Sequence, residues 1–458
     1  MLIRRDSMAG DVDMDAVAAG DARLNAAQAL RLYHEAPLHE LGRWASSVCR
    51  RLHGDRLRTY VIDRNINYTN VCSAKCTFCA FKRDPGDSEG YTLTTEQLHE
   101  KVRQLVAIGG RQILLQGGMH PDLPIEFYED LLRDLKSTFP QVHIHGFSPP
   151  ELTEFVAVLR LPGFATTAPG SSADLGEDAW GAKLEAIMRR LMAAGLDSIP
   201  GGGGEIFAHH VRKRIGIGKA TAKQWLDVVK CAHRLGMFTS ATMMFGHIEG
   251  VGDRIDHMLR FRAAQDEAIA HNWPGRYVSF ISWPFQRQNT PLGRLPDWDM
   301  ESGEPFAGDD PDHPLCGKRL RMAGASEYLR MQALSRLIFD NISSVGSSWI
   351  TMGPKIGQLG LFYGANDLGS VMMEENVVSA AGTTYCLDEA YICHLIRQGG
   401  YIPAQRDNRY HVLKAHEDDM SPDRQVTDWS QHRVTSLQRQ TSDAEGLAQN
   451  VTVSLPIA

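Results

Sequence analysis

The sequence has 458 residues, with 48 Lys and Arg against 55 Asp and Glu, a formal net charge of −7 and 43% hydrophobic residues. Its length suits one large domain with additions or two to three smaller ones, and its composition is that of a soluble globular protein. An acidic balance without blocks of Lys and Arg argues against nucleic acid or an anionic membrane as the main partner.

The two ends of the chain differ in pattern from its middle. Residues 1–25 are acidic, small and aperiodic, which predicts a mobile segment, and apolar residues then recur at helical spacing from Ala26 to about His53. We therefore expect an N-terminal helical extension. Residues 412–458 are mostly polar and charged, and we expect a weakly ordered tail. No run of about 18 apolar residues predicts a membrane span, and no signal-peptide pattern opens the chain, so we expect a cytoplasmic protein.

Between these ends, short apolar segments alternate with longer helical patterns. This alternation predicts a parallel sheet, and eight repeats suggest that the sheet closes into a (β/α)₈ TIM-type barrel. The predicted strands cover residues 64–71, 112–118, 142–148, 196–201, 239–246, 277–283, 342–350 and 368–375. Two stretches rich in small and turn-forming residues, 163–178 and 292–318, predict long surface loops. The resulting domain prediction is a single barrel over residues 26–411.

Three cysteines, Cys72, Cys76 and Cys79, directly follow the first predicted strand. Their C-x₃-C-x₂-C spacing lets three thiolates bind three irons of a [4Fe–4S] cluster and leaves the fourth iron open to a small molecule. A cluster that only carries electrons normally has a fourth cysteine, and none lies nearby in the sequence. A partial zinc site is the alternative, but zinc sites usually show a second cysteine pair or nearby histidines. In a barrel, the loop after a strand opens onto the active-site face.

The C-x₃-C-x-aromatic-C pattern, with Phe78 before the last cysteine, resembles the signature of the radical S-adenosylmethionine superfamily. Within it, further blocks over about residues 26–411 resemble the cyclic dehypoxanthine futalosine synthase family of menaquinone biosynthesis. The blocks include DRNINYTNVC (63–72), HIHGFSPPE (143–151), GLDSIPGGGGEIF (195–207), MMEENVVSAAGTTY (372–385) and PAQRDNRY (403–410). Two sister groups, the aminodeoxyfutalosine synthases and the deazaflavin (FO) synthase subunits, share much of this pattern.

The resemblance implies a [4Fe–4S] cluster and S-adenosylmethionine as cofactors, dehypoxanthine futalosine as the small-molecule substrate, and an electron donor such as flavodoxin or ferredoxin. It implies a 5′-deoxyadenosyl radical that takes hydrogen from C4′ of the substrate ribose. The carbon radical would attack the benzoate ring, and loss of a proton to a nearby base and of an electron would restore aromaticity. A sister radical enzyme with another substrate and an iron–sulfur electron carrier are the rival interpretations.

Candidate cofactor contacts lie at the ends of the second and third predicted strands. The resemblance implies that S-adenosylmethionine meets Phe78, Gln116, Gly117, Gly118, Ser148 and Glu151. Glycines permit close backbone approach, but a tight turn would use them as well. The run from Ser148 to Glu151 would equally suit a helix start with Ser as the cap.

Glu205 and His247 are the catalytic candidates. Glu205 follows the Gly-rich loop 201–204 and is a candidate base or ribose ligand, although acidic residues are also common in the first turn of a helix. His247 ends the fifth predicted strand, where a structural role is equally plausible. Substrate contacts are expected from Arg64, Tyr68, Gln286 and Asn289. An arginine should meet the benzoate carboxylate, and the candidates are Arg212, Arg214 and Arg287.

Overall fold

The computed structural model describes residues 12–383, 385 and 387–417. The helices are α1 (Met14–Ala19), α2 (Ala26–Glu35), α3 (Leu38–His53), α4 (Thr95–Ala107), α5 (Ile125–Thr138), α6 (Pro149–Val158), α7 (Glu177–Ala194), α8 (His209–Ile215), α9 (Ala222–Arg234), α10 (Val251–Ala270), α11 (Ala325–Ile338), α12 (Trp349–Met352), α13 (Pro354–Gly360), α14 (Val377–Ala380) and α15 (Glu389–Gln398). The strands are β1 (Leu57–Val61), β2 (Asp63–Asn67), β3 (Lys75–Cys76), β4 (Gln112–Gln116), β5 (His143–Gly146), β6 (Ser198–Ile199), β7 (Gly216–Ile217), β8 (Phe238–Phe245), β9 (Tyr277–Pro284), β10 (Ser344–Gly346), β11 (Asp367–Ser370), β12 (Ile402–Arg406) and β13 (Val412–Ala415).

The main sheet closes on itself through one bent strand. The parallel order runs β2–β4–β5–β6–β8–β9–β10–β11–β1, and only Ile62 separates β1 from β2. The first half of this strand pairs with β11 (Thr59 opposite Asp367), and the second half pairs with β4 (Arg64 opposite Ile113). The chain thus forms a ring of eight parallel strand positions with helices in the connections, which confirms the predicted TIM-type barrel.

All eight predicted strands are present, but the sequence analysis missed three others of the main sheet. β1 was missed because it continues into β2 and no turn-forming residue separates the two strands. β12 pairs in parallel with β1 outside the ring, and β13 pairs antiparallel with β12. These outer strands carry the chain back to the amino-terminal ends of the barrel strands.

Local sequence explains why the long helices form where they do. In α9, Thr221 accepts from the backbone N–H of Gln224 while the Gln224 side chain accepts from the Thr221 N–H, so both ends of a capping box are present. Trp225 and Val229, four residues apart on one face, are fully buried. Burying one apolar face in this way holds the helix on the sheet.

The ends of the described chain are more ordered than the sequence predicts. Within the predicted mobile segment 1–25, Asp13 caps α1, and Met14 and Val17 are buried; residues 1–11 lie outside the described residues. At the other end, β13 extends the packed chain beyond residue 411, and buried His416 stacks on Tyr60. The rest of the predicted tail, from residue 418, lies outside the described residues.

The two predicted loops are irregular apart from short 3₁₀ helices, and both approach the loop that carries the three cysteines. Gly170 donates its N–H to Glu154, whose other oxygen accepts from Ser73. Leu292 donates its N–H to the Thr77 carbonyl at 2.8 Å. The loops therefore buttress that region. Among the described residues, no helix combines the length and apolar character that crossing a membrane requires.

Candidate active site

A cavity of about 460 Å³ runs through the barrel from the cysteine loop to a floor made by residues 406–410. Its size falls within the range of small-molecule pockets. Inward-facing side chains of the strands form its walls. In β2, Asp63, Asn65 and Asn67 line it, as expected for alternate residues of a strand.

The cysteine loop is fixed through its backbone. β3 pairs antiparallel with β7, with Cys76 opposite Gly216, and the Thr77 N–H donates to the Ile215 carbonyl at 2.9 Å. The Cys72 N–H donates to the Arg83 carbonyl at 2.9 Å. The three thiols all line the cavity, and Cys72 and Cys79 pack against Cys76.

The thiols fit an iron–sulfur cubane better than a single metal ion. Within the described part of the chain, no three His, Cys, Asp or Glu side chains are grouped to hold one ion. A cubane offers a separate iron to each thiolate, so its ligands are spread around it. Burial raises the pKa of Cys76 to about 12, with Lys219 acting in the opposite direction. Bound iron must therefore supply most of the stabilisation of the thiolate.

Gly117 and Gly118 allow two loops to meet. A Cβ atom on Gly118 would lie 2.1 Å from the Val71 carbonyl oxygen, and one on Gly117 would lie 2.5 Å from the Tyr68 ring. The Gly118 N–H donates to the Thr69 carbonyl at 3.0 Å. The tight-turn interpretation is therefore supported. Because both glycines also line the cavity, ligand contact stays a prediction.

Glu151 joins three elements at the cavity wall. It accepts from the Ser148 N–H at 2.8 Å, the Ser148 hydroxyl at 2.7 Å, the Tyr68 hydroxyl at 2.8 Å and the Gly117 N–H at 3.0 Å. Ser148 and Glu151 form the capping box of α6, so the helix-start interpretation is confirmed. Burial raises the pKa of Glu151 to about 7, against the effect of these donors.

Glu205 lies beside a buried cation near the cysteines. Its Oε1 is 2.9 Å from Lys219 Nζ, and Lys219 Nζ lies 5.0 Å from the centre of the Phe78 ring. Burial opposes the ammonium, but Glu205 and Cys76 hold the pKa of Lys219 above its ordinary value. Positive charge is thus kept at the place where three thiolates would gather.

Comparison with known proteins identifies the family. Residues 66–261 match the model described as the radical SAM superfamily, and residues 312–419 match the CofH/MqnC C-terminal region. A cyclic dehypoxanthine futalosine synthase of Halalkalibacterium halodurans is 38% identical over 401 residues, which is 88% of this chain and 94% of the relative. The chain belongs to the radical S-adenosylmethionine superfamily, in the group of the cyclic dehypoxanthine futalosine synthases.

Two further relatives and one solved structure are similar to this chain. A second such synthase, from Streptomyces coelicolor, is 36% identical over 408 residues, covering 88% of this chain and 89% of the relative. An aminodeoxyfutalosine synthase of Thermus thermophilus is 32% identical over 395 residues, covering 86% and 93%. The crystal structure of methylornithine synthase shares the fold, with a TM-score of 0.56, 16% identity, and coverage of 85% of this chain and 97% of that one.

Two of the predicted substrate contacts lie on the wrong face of the first barrel strand. Arg64 is buried between sheet and helices, where its Nε is 2.6 Å from Glu374 Oε2. Tyr68 is fully buried and donates to Glu151. Neither residue lines the cavity, because the inward positions of this strand are the odd-numbered ones.

The remaining predicted contacts also lie outside the cavity. His247 is fully buried with Nδ1 2.9 Å from Glu249 Oε2 and does not line the cavity, so its position does not support the catalytic prediction. Gln286 donates to the Pro284 carbonyl, and Asn289 donates to the Ala380 carbonyl at 2.9 Å. Both residues follow β9 in the chain and lie beyond Trp283, whose side chain lines the cavity.

The three arginine candidates for a benzoate contact are wrong for the same reason. Arg212 donates to the carbonyls of the Gly-rich loop, Arg214 contacts Cys316, and Arg287 donates to the Gly293 carbonyl. Arg406 lines the cavity instead, paired with Asp367. The sequence analysis also missed Lys219 and the inward residues of β2. Strict alternation along β2 was the signal that could have found the latter.

Proposed function

We propose that this chain catalyses the radical cyclisation of dehypoxanthine futalosine to cyclic dehypoxanthine futalosine. One observation carries the proposal. Three free thiols at C-x₃-C-x₂-C spacing line a barrel cavity in a chain that matches a synthase of this name over 94% of that protein's length.

Residues near the cysteine loop suit the two cofactors of the family. Cys72, Cys76 and Cys79 would bind three irons of a [4Fe–4S] cluster. The adjacent wall would surround S-adenosylmethionine through Phe78, Gln116, Gly117, Gly118, Ser148 and Glu151, which all line the cavity. When bound, these cofactors supply a 5′-deoxyadenosyl radical that can take hydrogen from an unactivated carbon.

Glu205 would contact a ligand rather than act as the base. Its Oε1 already accepts from Lys219, and its backbone lies in the left-handed region with φ at +35°. A carboxylate held so firmly is well placed to accept from ribose hydroxyls. Lys219 would balance the negative charge of the thiolates. Its ammonium lies over the ring of Phe78, the residue that directly precedes Cys79.

The proposal is tested with reconstituted protein under anaerobic conditions, S-adenosylmethionine, a strong chemical reductant and dehypoxanthine futalosine. Mass spectrometry should find 5′-deoxyadenosine together with a product two hydrogens lighter than the substrate. Deoxyadenosine with unchanged substrate would replace this proposal by a sister reaction. No deoxyadenosine from fully iron-loaded protein would favour an electron carrier.

The electron donor would be an acidic protein such as flavodoxin or ferredoxin, docking beside the cysteine loop. Lys75, next to Cys76, and Lys213, on the neighbouring helix α8, are both exposed. Complementary charge steers such encounters. Replacing both lysines with Glu should slow turnover driven by the protein donor several-fold and leave turnover with the chemical reductant unchanged. The matched control is Lys223→Glu, on the exposed face of α9. Equal loss in both assays would contradict this docking site.

We also propose the cytoplasm as the compartment. Within the described residues, none of the seven cysteines forms a disulfide, including those of the cluster loop. Thiols that serve as iron ligands need a reducing environment to stay available.

A further inference from the structure

A chain of hydrogen bonds connects the cavity with the opposite end of the barrel. His145 lines the main cavity, and His143, on the same face of β5, lines a second cavity of about 240 Å³. Ser198 lies between them, with Oγ 2.6 Å from His145 Nδ1 and 2.7 Å from His143 Nε2. Ser198 is buried and contacts both rings directly, so the chain needs no bridging water.

We propose that His145 accepts the proton lost by the substrate ring and that Ser198 and His143 carry the charge to the smaller cavity. The inference rests on the proposed function, in which the benzoate ring must lose a proton after the new C–C bond forms. General bases are recognised by a free lone pair within reach of the reacting atoms. His145 offers one in the wall of the reaction cavity.

The acidic side chains of the cavity are already engaged by donors. Asp63 accepts hydrogen bonds from Ser370 and Gln112, and Asp367 accepts them from Arg406 and Thr59. Glu205 accepts from Lys219, and Glu375 accepts from the N–H groups of Val377 and Val378. Glu151 accepts from Ser148, Tyr68 and Gly117. For Nε2 of His145, by contrast, the described residues provide no hydrogen-bond partner. This nitrogen is therefore the available base in the wall.

Asn408 contacts all three groups of the path. Its Nδ2 lies 2.7 Å from Ser198 Oγ, 2.8 Å from His143 Nε2 and 3.3 Å from His145 Nδ1. In the proposed path Asn408 donates an N–H to Ser198, and the serine hydroxyl donates its proton to His143 Nε2. Ser198 can then also accept the Nδ1 proton of His145. Burial holds the pKa of His145 at about 3, with His143 and Arg406 acting in the same direction, so the ring is neutral before the reaction. In this arrangement Nε2 of His145 carries no proton.

The proton transfer leaves no charged imidazole in the main cavity, because His145 gives up one proton as it gains another. The ring C–H bond breaks, its proton binds His145 Nε2, and its electron pair stays with the ring. One electron then leaves for a one-electron acceptor of the iron–sulfur class. The Nδ1 proton of His145 passes to Ser198, and the serine proton passes to His143. The positive charge rests on His143, whose Nδ1 is 4.0 Å from Asp197 Oδ2. Release into the smaller cavity, and water exchange after product release, restore the starting tautomers.

The test compares His145→Gln, Ser198→Ala and a control, His99→Gln, in the anaerobic assay. His99 is a partly buried histidine on α4 that contacts Asp134 at 2.6 Å and takes no part in the path. In His145→Gln we expect product formation to fall about 100-fold or more, while deoxyadenosine formation falls less than about fivefold and KM changes little. Ser198→Ala should lose about tenfold and show a larger solvent deuterium isotope effect on product formation.

A second measurement needs no cofactor and no substrate. Nitrogen-15 NMR of histidine-labelled, cluster-free protein should show His145 with its proton on Nδ1, and Ser198→Ala should change that signal. Equal loss of product and deoxyadenosine in His145→Gln, or a proton on Nε2 in the wild-type protein, would overturn the inference. If the wild-type protein forms no product from dehypoxanthine futalosine, the proposed function fails. The NMR measurement of the His145 tautomer then still tests the hydrogen-bond path by itself.

Discussion

At the upper end of the cavity three free thiols stand on one short loop, whereas at the floor Arg406 and Asp367 are locked together by hydrogen bonds of 2.6 and 2.9 Å. The loop owes its position to backbone hydrogen bonds, which leave the side chains available for ligands. At the floor, by contrast, the charged side chains form hydrogen bonds with each other. One end of the barrel therefore provides side chains that can bind ligands, and the other end provides side chains that close the cavity.

The comparison also separates local from long-range organisation. The thiols come from eight consecutive residues, but near the floor Asp63 accepts from Ser370, which lies 307 residues further along the chain. A change in the loop should remove chemistry and spare the fold. A change at the floor should weaken the fold first, because breaking one partner leaves a buried charge.

The largest expected effect is on activity, in Cys76→Ala. Loss of one iron ligand should abolish deoxyadenosine formation, while the cluster-free variant should unfold within about 1 kcal/mol of the wild-type protein. Iron analysis, the deoxyadenosine assay and urea unfolding measure the three quantities. Cys231→Ala, in the core away from the loop, is the control that should keep its iron. Deoxyadenosine production by Cys76→Ala would remove this residue from the ligand set.

At the floor, Arg406→Met should lower the free energy of unfolding by about 3–5 kcal/mol, because it leaves Asp367 buried without its cation. Urea unfolding of the cluster-free protein measures the change. The guanidinium of the neighbouring Arg409 lies over the face of Phe238, at 4.5 Å, so Arg409→Ala should cost about 1 kcal/mol or less. Equal costs for the two arginines would contradict the contrast between the ends of the barrel.

Burial of Glu151 should make the stability of the protein depend on pH. Its pKa of about 7 in the folded protein lies above the value of about 4.3 for an unfolded chain, so folding favours the protonated form. This contribution is full below pH 4 and is lost as the pH rises through 7. Relative to Glu151→Gln, the wild-type protein should lose up to about 3 kcal/mol of unfolding free energy between pH 4 and 8. Parallel pH profiles for the two proteins would contradict this.

The smallest expected effect concerns the close contact beneath the cysteine loop. Gly118→Ala forces a Cβ atom against the Val71 carbonyl and should cost about 1–3 kcal/mol and weaken iron retention. Gly181→Ala, in α7 with open space around the added atom, should stabilise the protein by up to about 1 kcal/mol. Unchanged iron retention in Gly118→Ala would show that the loops need not approach so closely.

The sequence predicted what is local and missed what depends on distant partners. Strand–helix alternation and the C-x₃-C-x₂-C spacing are local patterns, and both the barrel and the cysteine loop follow from them. Arg64 and His247 were misjudged because being near a strand end does not say which face a side chain takes. Arg406 was missed because its place in the cavity depends on Asp367, in another strand. The inward face of β2 could have been predicted from its alternation. The contacts of the floor could not, because they join segments that are distant in the sequence.

The most direct test of the account uses dehypoxanthine futalosine deuterated at C4′ in the anaerobic assay. The account predicts deuterium in the 5′-deoxyadenosine and a cyclised product that has lost it, with no deuterium transfer in Cys76→Ala. Deoxyadenosine free of deuterium, with the substrate unchanged, would contradict the assignment of the cavity to this reaction.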